Sequence, residues 1–463
     1  MDDNKNRYLE LINGFQDTDE RRMTRRKKRQ KARILAYVSL AVILLLAGTG
    51  IFFVIKHTGL MLKAGRTDVA EENRNVQNHI EDILGGEEEV VVAPPVVTDP
   101  EPTEEELFDE WLDSKIAVIP LEEKVMNLFI VRPESITGVD IVIQAGEGTQ
   151  KAFEQYTVGG VLYSDKNILS ADQFSGMLEN TRSYSKYPLF LAVKEEPGNT
   201  VLGNKLKLDA TLSQAKIGES MDPYTAYTEH KKIAEYLKAS GIDFNFGIVS
   251  DIIDSKDDTS LFMSSRSFGA DPVIVSRMVQ ESAHAYSESG ISTAVGYFPG
   301  QGSLKDDPTK GVLSVMLTAD DVYTKQYEVL KAAVDNGAVA VVVSHEYADN
   351  IVKDNVPCSL SKDIYTGLLR DSYGFSNVIL ITDCLDDPVI TEYYTSAESC
   401  VKAIKAGADM VLCPENFEEG YKAVVEAVKS NVISEDRIND SLKRVFRVKY
   451  RSEYEEKADE NGK

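Results

Sequence analysis

Short apolar runs that alternate with helix-like stretches are the feature that most constrains the fold of this chain. Between residues 126 and 413 the apolar runs are MNLFIV, GGVLY, LFLAV, FNFGIV, TAVGYF, AVAVVVSH, VILIT and DMVLC. Several of the stretches between them, such as TEHKKIAEYLKASG, end at Gly, as helices commonly do. Eight such units predict an α/β fold of the (β/α)8 TIM-barrel type. An open doubly wound sheet is the alternative, but no GxGxxG motif follows the first run.

An uncharged apolar segment ahead of the barrel predicts a membrane anchor. Residues 34–55, ILAYVSLAVILLLAGTGIFFVI, are long enough to cross a bilayer as one helix, and the basic run RRMTRRKKRQKAR precedes them. Positive charge before the span predicts a single-pass protein of the cell membrane with a cytoplasmic N-terminus and an extracytoplasmic barrel. The predicted organisation is a basic tail at 1–33, the span at 34–55, an acidic, proline-containing stalk at 56–115, the barrel at 116–452 and a polar tail at 453–463.

Charge and cysteine spacing exclude two classes of function. The formal net charge is −24, which argues against a nucleic-acid partner because phosphate binding needs clustered Lys and Arg. The cysteines show no CxxC and no paired Cys/His spacing, so we predict free buried thiols and neither a metal site nor a cofactor. They are Cys358, Cys384, Cys400 and Cys413.

Polar residues at the ends of the predicted strands are the candidates for a functional site. In a (β/α)8 barrel the active site lies at the carboxyl ends of the strands. Arg266 lies in the long excursion that follows the fourth strand. The candidates at the strand ends are Glu195, Glu196, Asp251, Tyr297, His345, Glu346 and Asp383.

A set of motifs gives the chain a family likeness. In order along the sequence they are LEEKVMNLFIV, VGGVLYSDKNILSADQF, SGIDFNFGIVSD, RSFGADP, YFPGQG, LLRDSYGFSNVILITD, AIKAGADMVLCP and RINDSLKRVFRVKY. Together they resemble the N-terminal barrel of glycoside hydrolase family 3, and in particular its single-domain β-N-acetylhexosaminidases, which trim N-acetylglucosamine from cell-wall sugars. The resemblance covers residues 121–450. It implies a retaining double displacement, in which a carboxylate attacks the anomeric carbon while an acid protonates the leaving oxygen.

Part of the catalytic set that the resemblance implies is present. The nucleophile of the family falls on Asp383 in the run ITDCLDD, its substrate-contacting arginine falls on Arg266, and the aspartate that closes the fourth strand falls on Asp251. The alternative for Asp383 is a structural role, in which it caps the next helix or pairs with Arg266. For His345 the alternatives are a substitute acid and a simple hydrogen bond to a backbone carbonyl.

The residues that would transfer protons are missing. The family loop K-H-F-P-G-H-G-D-T reads GYFPGQGSL here, so Gly296 and Tyr297 replace Lys-His, Gln301 replaces the acid/base histidine and Ser303 replaces its aspartate partner. A glutamine amide does not exchange a proton near neutral pH, so it cannot supply the factor of about 10²–10⁴ that general acid/base catalysis gives.

The substrate-gripping stretch after the third strand is changed as well. The family motif D-Q-E-G-G-R reads KEEPGN, which places Lys194 at the aspartate and Asn199 at the arginine. An ammonium can only donate hydrogen bonds where a carboxylate would accept them. The candidate substrate-binding residues at the barrel mouth are Arg266, Asp251, Lys194, Tyr297 and His345.

These changes predict a degenerate member of the family with weak or no hydrolase activity. Its barrel mouth is expected to bind a cell-wall amino sugar or glycan fragment, or a protein partner. The alternative is an active retaining glycosidase that uses Asp383 as nucleophile with a relocated acid/base. Carboxylates weighed for that relocated role are Glu195, Glu196, Asp306 and Asp307, for which a solvated loop position is the simpler interpretation. For Tyr297, sugar stacking and a partly buried rim position both remain open.

Overall fold

A closed barrel of parallel strands forms the body of the protein. The computed structural model describes residues 102–254 and 260–461. Its strands pair in chain order and close on themselves, which confirms the predicted (β/α)8 fold, and every predicted apolar run contains or overlaps its strand. The strands are β1 Phe129–Val131, β2 Gly160–Leu162, β3 Phe190–Val193, β4 Phe244–Val249, β5 Ser292–Phe298, β6 Ala340–Val343, β7 Ile379–Cys384 and β8 Met410–Leu412.

Helices surround the strands and cover their outer faces. The longer α-helices are Glu104–Ala117, Glu147–Gln155, Ala171–Tyr184, Gln214–Ser220, Pro223–Ser240, Pro272–Glu288, Glu328–Asp335, Ser396–Ala406, Phe417–Lys429, Glu435–Lys449 and Arg451–Asn461. Shorter ones are Leu121–Met126, Pro133–Thr137, Leu202–Lys205, Leu261–Ser264, Ala319–Asp321 and Pro388–Thr391. Tight 3₁₀ turns lie at Asp165–Asn167, Pro308–Lys310 and Cys358–Leu360, and π-helical turns at Val322–Tyr327 and Asp363–Ser372.

Local sequence determines where the helices begin and end. The helix Pro223–Ser240 starts after Asp222, whose carboxylate accepts the Tyr224 amide at 3.1 Å, with Pro223 at the first helical position. It stops at Gly241, whose φ of 92° lies in the left-handed region that favours glycine. The strands are buried along nearly their whole length, as expected when helices and a packed barrel interior cover both faces of a parallel sheet.

Both ends of the described chain are helical and pack against the helix Glu435–Lys449. The helix Glu104–Ala117 overlaps the last part of the segment predicted as stalk and buries Phe108 and Leu112, with Arg447 hydrogen bonded to Asp109. The segment predicted as a polar tail carries the helix Arg451–Asn461. The predicted membrane helix at 34–55 lies outside the described residues, and among the residues that the structure describes no helix is long and apolar enough to cross a membrane. All four cysteines are free and buried.

Candidate active site

A cavity of about 570 Å³ opens at the carboxyl ends of the strands. Its size is within the range of about 300–1,000 Å³ that is usual for small-molecule sites. The charged residues of its wall come from four different strand ends or the loops after them, and they are Arg132, Lys194, Glu196, Arg266, Asp383 and Asp387. The barrel therefore brings residues that are far apart in the sequence into one charged pocket.

Asp383 lies near the end of β7 and faces this cavity. Its Oδ1 accepts a hydrogen bond from Lys194 Nζ at 3.1 Å and another from the Cys384 amide at 2.9 Å. Burial opposes ionisation, but the charges of Lys194 and His345 outweigh it and hold the pKa of Asp383 below its ordinary value. No donor among the described residues binds Oδ2, so an ionised oxygen is left to face a ligand.

Arg266 does not pair with Asp383, as the structural alternative had it, but with Glu196. The guanidinium binds both oxygens of Glu196, with Nε to Oε2 at 2.7 Å and Nη2 to Oε1 at 2.5 Å. Its Nη2 also donates to the Tyr297 hydroxyl at 3.3 Å, and Tyr297 is 7% exposed on the cavity wall. The pair fixes the orientation of the arginine toward the cavity, and Tyr297 is a buried residue of the cavity wall rather than a partly buried rim residue.

Gln301 occupies the cavity wall where the family has its acid/base histidine. Its Nε2 donates to Glu346 Oε1 at 2.7 Å, and its backbone amide donates to Asp251. The other oxygen of Asp251 accepts the Tyr297 amide at 2.9 Å. Asp251 is fully buried and does not line the cavity, so the prediction that it binds substrate is wrong. Its carboxylate instead holds the end of β5 and the loop after it through the amides of Tyr297 and Gln301.

Burial raises the pKa of both acids behind this loop, that of Asp251 to about 6 and that of Glu346 to about 7. At a given pH the uncharged form is therefore more populated in the folded state than in the unfolded chain. Because the folded pKa of Glu346 lies above its ordinary value of 4.5, its stabilising contribution is complete below that pH and is lost as the pH rises through about 7.

We expect Glu346→Gln to flatten the pH dependence of stability. In the native protein, ionisation of Glu346 should lower the free energy of unfolding by up to about 3 kcal/mol between about pH 5 and pH 8. The glutamine cannot titrate, and its side-chain oxygen can still accept the hydrogen bond from Gln301. Urea unfolding at a series of pH values measures both slopes. Equal slopes in the native protein and the variant would show that Glu346 does not titrate in this range.

His345 is held in place by hydrogen bonds at both ring nitrogens. Nε2 lies 2.9 Å from the Cys384 carbonyl oxygen and Nδ1 lies 2.7 Å from Ser359 Oγ, which places it in the backbone-bonded role rather than on the cavity wall. One atom each of His345, Asp383 and Asp387 lies within 4.8 Å of the others, a set of donors that resembles a metal site. Because both His345 nitrogens are engaged and the Lys194 ammonium already supplies the positive charge, we assign no metal there.

Of the other predicted candidates, only Asn199 lies on the cavity wall. Glu195 accepts the amides of Val201 and Leu202 at 2.6 and 2.5 Å, Asp307 caps the turn Pro308–Lys310, and Asp306 is exposed. The Ser303 hydroxyl is buried and has no hydrogen-bond partner in the part of the chain that the structure describes.

Asp387 is the cavity carboxylate that sequence reasoning missed. It stands at the N-terminal cap of the helix Pro388–Thr391 but makes no capping hydrogen bond with its side chain. Burial, followed by the charge of Asp383, raises its pKa to about 6. The signal in the sequence is the run ITDCLDD, which places a second carboxylate one helical turn beyond Asp383 at the same strand end.

Comparisons with known proteins place this barrel in a family. The sequence matches the N-terminal domain of glycosyl hydrolase family 3 over residues 120–448. It is 22% identical over 324 residues to β-hexosaminidase A of Pseudoalteromonas piscicida, covering 64% of this chain and 54% of that protein. The chain thus spans about half the length of this relative.

Solved structures agree with the sequence match. A family 3 β-N-acetylglucosaminidase from Paenibacillus sp. superimposes with a TM-score of 0.66 and 25% identity, over 73% of this chain and 64% of that one. The β-N-acetylhexosaminidase of Beutenbergia cavernae gives a TM-score of 0.64 and 25% identity, over 72% of this chain and 99% of that one. On its sequence match and its barrel, the chain belongs to glycosyl hydrolase family 3.

Proposed function

We propose that this protein is a membrane-anchored, extracytoplasmic barrel that binds a cell-wall amino-sugar glycan and hydrolyses it weakly at neutral pH. The observation that carries the proposal is the pairing of a retained nucleophile position with a missing proton donor. Asp383 faces the cavity with one oxygen that no described residue binds, while Gln301 stands where the family has its histidine. An ionised carboxylate can still attack an anomeric carbon, but an unactivated leaving group departs slowly without a proton.

The amino-sugar ligand is supported by the relatives and by the cavity. The similar proteins are a β-hexosaminidase and a β-N-acetylglucosaminidase in name, and the cavity wall offers both hydrogen-bond donors and acceptors. Lys194 and Arg266 present cations there, and Glu196 and Asp383 present carboxylates. Sugar hydroxyls both donate and accept, so such a mixed wall suits them.

The membrane anchor rests on the sequence alone. The apolar segment at 34–55 with its basic flank supports a cytoplasmic N-terminus and a barrel outside the membrane. That position would bring the cavity close to cell-wall glycans. That the barrel mouth binds a protein partner remains a prediction, and it rests on the changed residues there.

An activated substrate tests the function. We expect the full chain to cleave dinitrophenyl N-acetyl-β-glucosaminide, because its leaving group needs little protonation. Asp383→Asn should lower kcat/KM by at least about 10³-fold, since an amide oxygen is a poor nucleophile. Asp335→Asn is the control, because Asp335 is half exposed, pairs with Lys331 in the helix Glu328–Asp335 and does not line the cavity.

The result that contradicts the proposal is equally specific. It is an absence of turnover together with no rise in the melting temperature of the full chain on addition of N-acetylglucosamine oligosaccharides. Turnover that survives Asp383→Asn would instead place the reaction at another residue.

A further inference from the structure

We propose that Asp387 is the proton donor to the leaving group, so that the barrel acts as a retaining glycosidase at mildly acidic pH. The inference rests on the proposed function, because it assigns the missing half of the same reaction. It replaces the family's proton donor in the loop after β5 with a carboxyl in the loop after β7.

The distance between the two carboxyls fits this division of roles. One carboxylate oxygen of Asp387 lies within 4.8 Å of one oxygen of Asp383, and both side chains line the same cavity. Retaining glycosidases hold their two carboxyl groups about 5–5.5 Å apart, whereas inverting enzymes need about 6.5–9.5 Å to admit a water molecule. The separation is therefore on the retaining side.

The charges around the two carboxyls divide them further. The charge of Lys194 lowers the pKa of both carboxyls, but of the two it is Asp383 that its ammonium hydrogen bonds, and the nearby Arg132 is bound to Asp386 by its Nε at 2.7 Å. The turn Pro308–Lys310 packs against the helix that Asp387 begins, and Asp307 at its start accepts the amide of Thr309. No ion pair to Asp387 is found among the described residues, so the cations that reach this loop leave its carboxyl unpaired.

The pKa values support the assignment that geometry makes. Burial and the charge of Asp383 raise the pKa of Asp387 to about 6, while Lys194 helps to hold that of Asp383 below its ordinary value. Two carboxyls whose environments move their pKa values apart supply an acid and a nucleophile at the same pH. At about pH 5 most Asp387 side chains are protonated and most Asp383 side chains are ionised.

The reaction then balances in two steps. Oδ2 of Asp383 forms a bond to the anomeric carbon as the glycosidic bond breaks, and the departing oxygen takes its electron pair and the proton of Asp387. In the second step the Asp387 carboxylate removes a proton from water, whose oxygen attacks the anomeric carbon and releases Asp383. The products are the free sugar and the alcohol, and Asp387 is protonated again.

Two leaving groups and one substitution test the assignment on the full chain. With methyl N-acetyl-β-glucosaminide, kcat/KM of the native protein should rise about tenfold as the pH falls from about 7 to about 5, and Asp387→Asn should lower the value at the acidic end by about 10²–10⁴-fold. With the dinitrophenyl glycoside, kcat/KM should change only a few-fold, both over the same pH range and on Asp387→Asn. Asp335→Asn, on an exposed helix position away from the cavity, should keep the native dependence on the leaving group.

Azide provides a readout that a structural role would not move. A small anion can replace the water that Asp387 would activate. With the dinitrophenyl glycoside as substrate and azide added, Asp387→Asn should therefore release a glycosyl azide of retained anomeric configuration. One result would overturn the Asp387 assignment alone. In it, Asp383→Asn removes activity on the dinitrophenyl glycoside, but the native protein and Asp387→Asn show the same dependence of kcat/KM on pH and on the leaving group. No turnover of either substrate at about pH 5 or 7 would overturn the proposed hydrolysis with it.

Discussion

Gln301→His is expected to raise kcat/KM for methyl N-acetyl-β-glucosaminide at neutral pH by about 10²–10⁴-fold, the range that a positioned general acid contributes. The reason is the neighbour that this position already has. The side-chain nitrogen of Gln301 lies 2.7 Å from Glu346 Oε1, so an imidazole there would have a carboxylate to orient it. The gain should be smaller at acidic pH, where Asp387 is protonated.

A second substitution isolates this effect. Gln301→His combined with Glu346→Gln keeps the imidazole but removes the carboxylate that orients it, so most of the gain should disappear. Steady-state kinetics at a fixed pH compares the variants. A folded Gln301→His protein with the native kcat/KM at neutral pH would show that a group at this position does not reach the leaving oxygen.

Asp409→Asn is expected to lower the free energy of unfolding by about 3–5 kcal/mol, the usual cost of breaking a buried ion pair. Asp409 is fully buried just before β8. Its Oδ1 accepts from Arg444 at 3.1 Å and from Ser441 at 2.7 Å, and its Oδ2 accepts from Arg370 and from the Leu380 amide at 2.9 Å. Removing its charge leaves partly buried guanidinium groups that repel each other.

An exposed pair provides the control for this loss. Asp335 binds Lys331 one helical turn away, and both side chains are about half exposed, at 53% and 45%. Asp335→Asn should therefore change the free energy of unfolding by no more than about 0.5 kcal/mol. Urea unfolding measures both variants, and a loss at Asp409 as small as that at Asp335 would show that the buried cluster contributes little.

The strands could be predicted because burial on both faces makes them continuous apolar runs. Phe244–Val249 is an example: it is apolar except for Asn245, and the structure buries every residue of it. The helix end at Gly241 could be predicted because its local chemistry acts without tertiary contacts, whereas the start at Asp222 lies ahead of the predicted stretch, which begins at Thr228. The barrel then follows from the number and order of the strands.

The site could be predicted only to the level of strand ends. The position of Asp383 after β7 was clear, but its partner Lys194 lies 189 residues earlier, and nothing in the sequence ranks that lysine above Arg266. Asp387 was missed because its importance depends on a distance to Asp383 and on the absence of a cap bond, both of which are tertiary facts. Asp251 was placed on the cavity because the sequence does not show which strand-end carboxylates the following loop covers.

A trapped covalent intermediate tests the central claim most directly, namely that Asp383 still acts as a nucleophile. The full chain would be incubated with a fluorosugar inactivator, a ring-fluorinated N-acetylglucosaminyl fluoride whose leaving group needs little protonation, and its peptides would be analysed by mass spectrometry. We predict one sugar attached to the peptide that contains Asp383, and none in Asp383→Asn. Unmodified protein under conditions in which the sugar binds would contradict the account and leave Asp383 with a structural role.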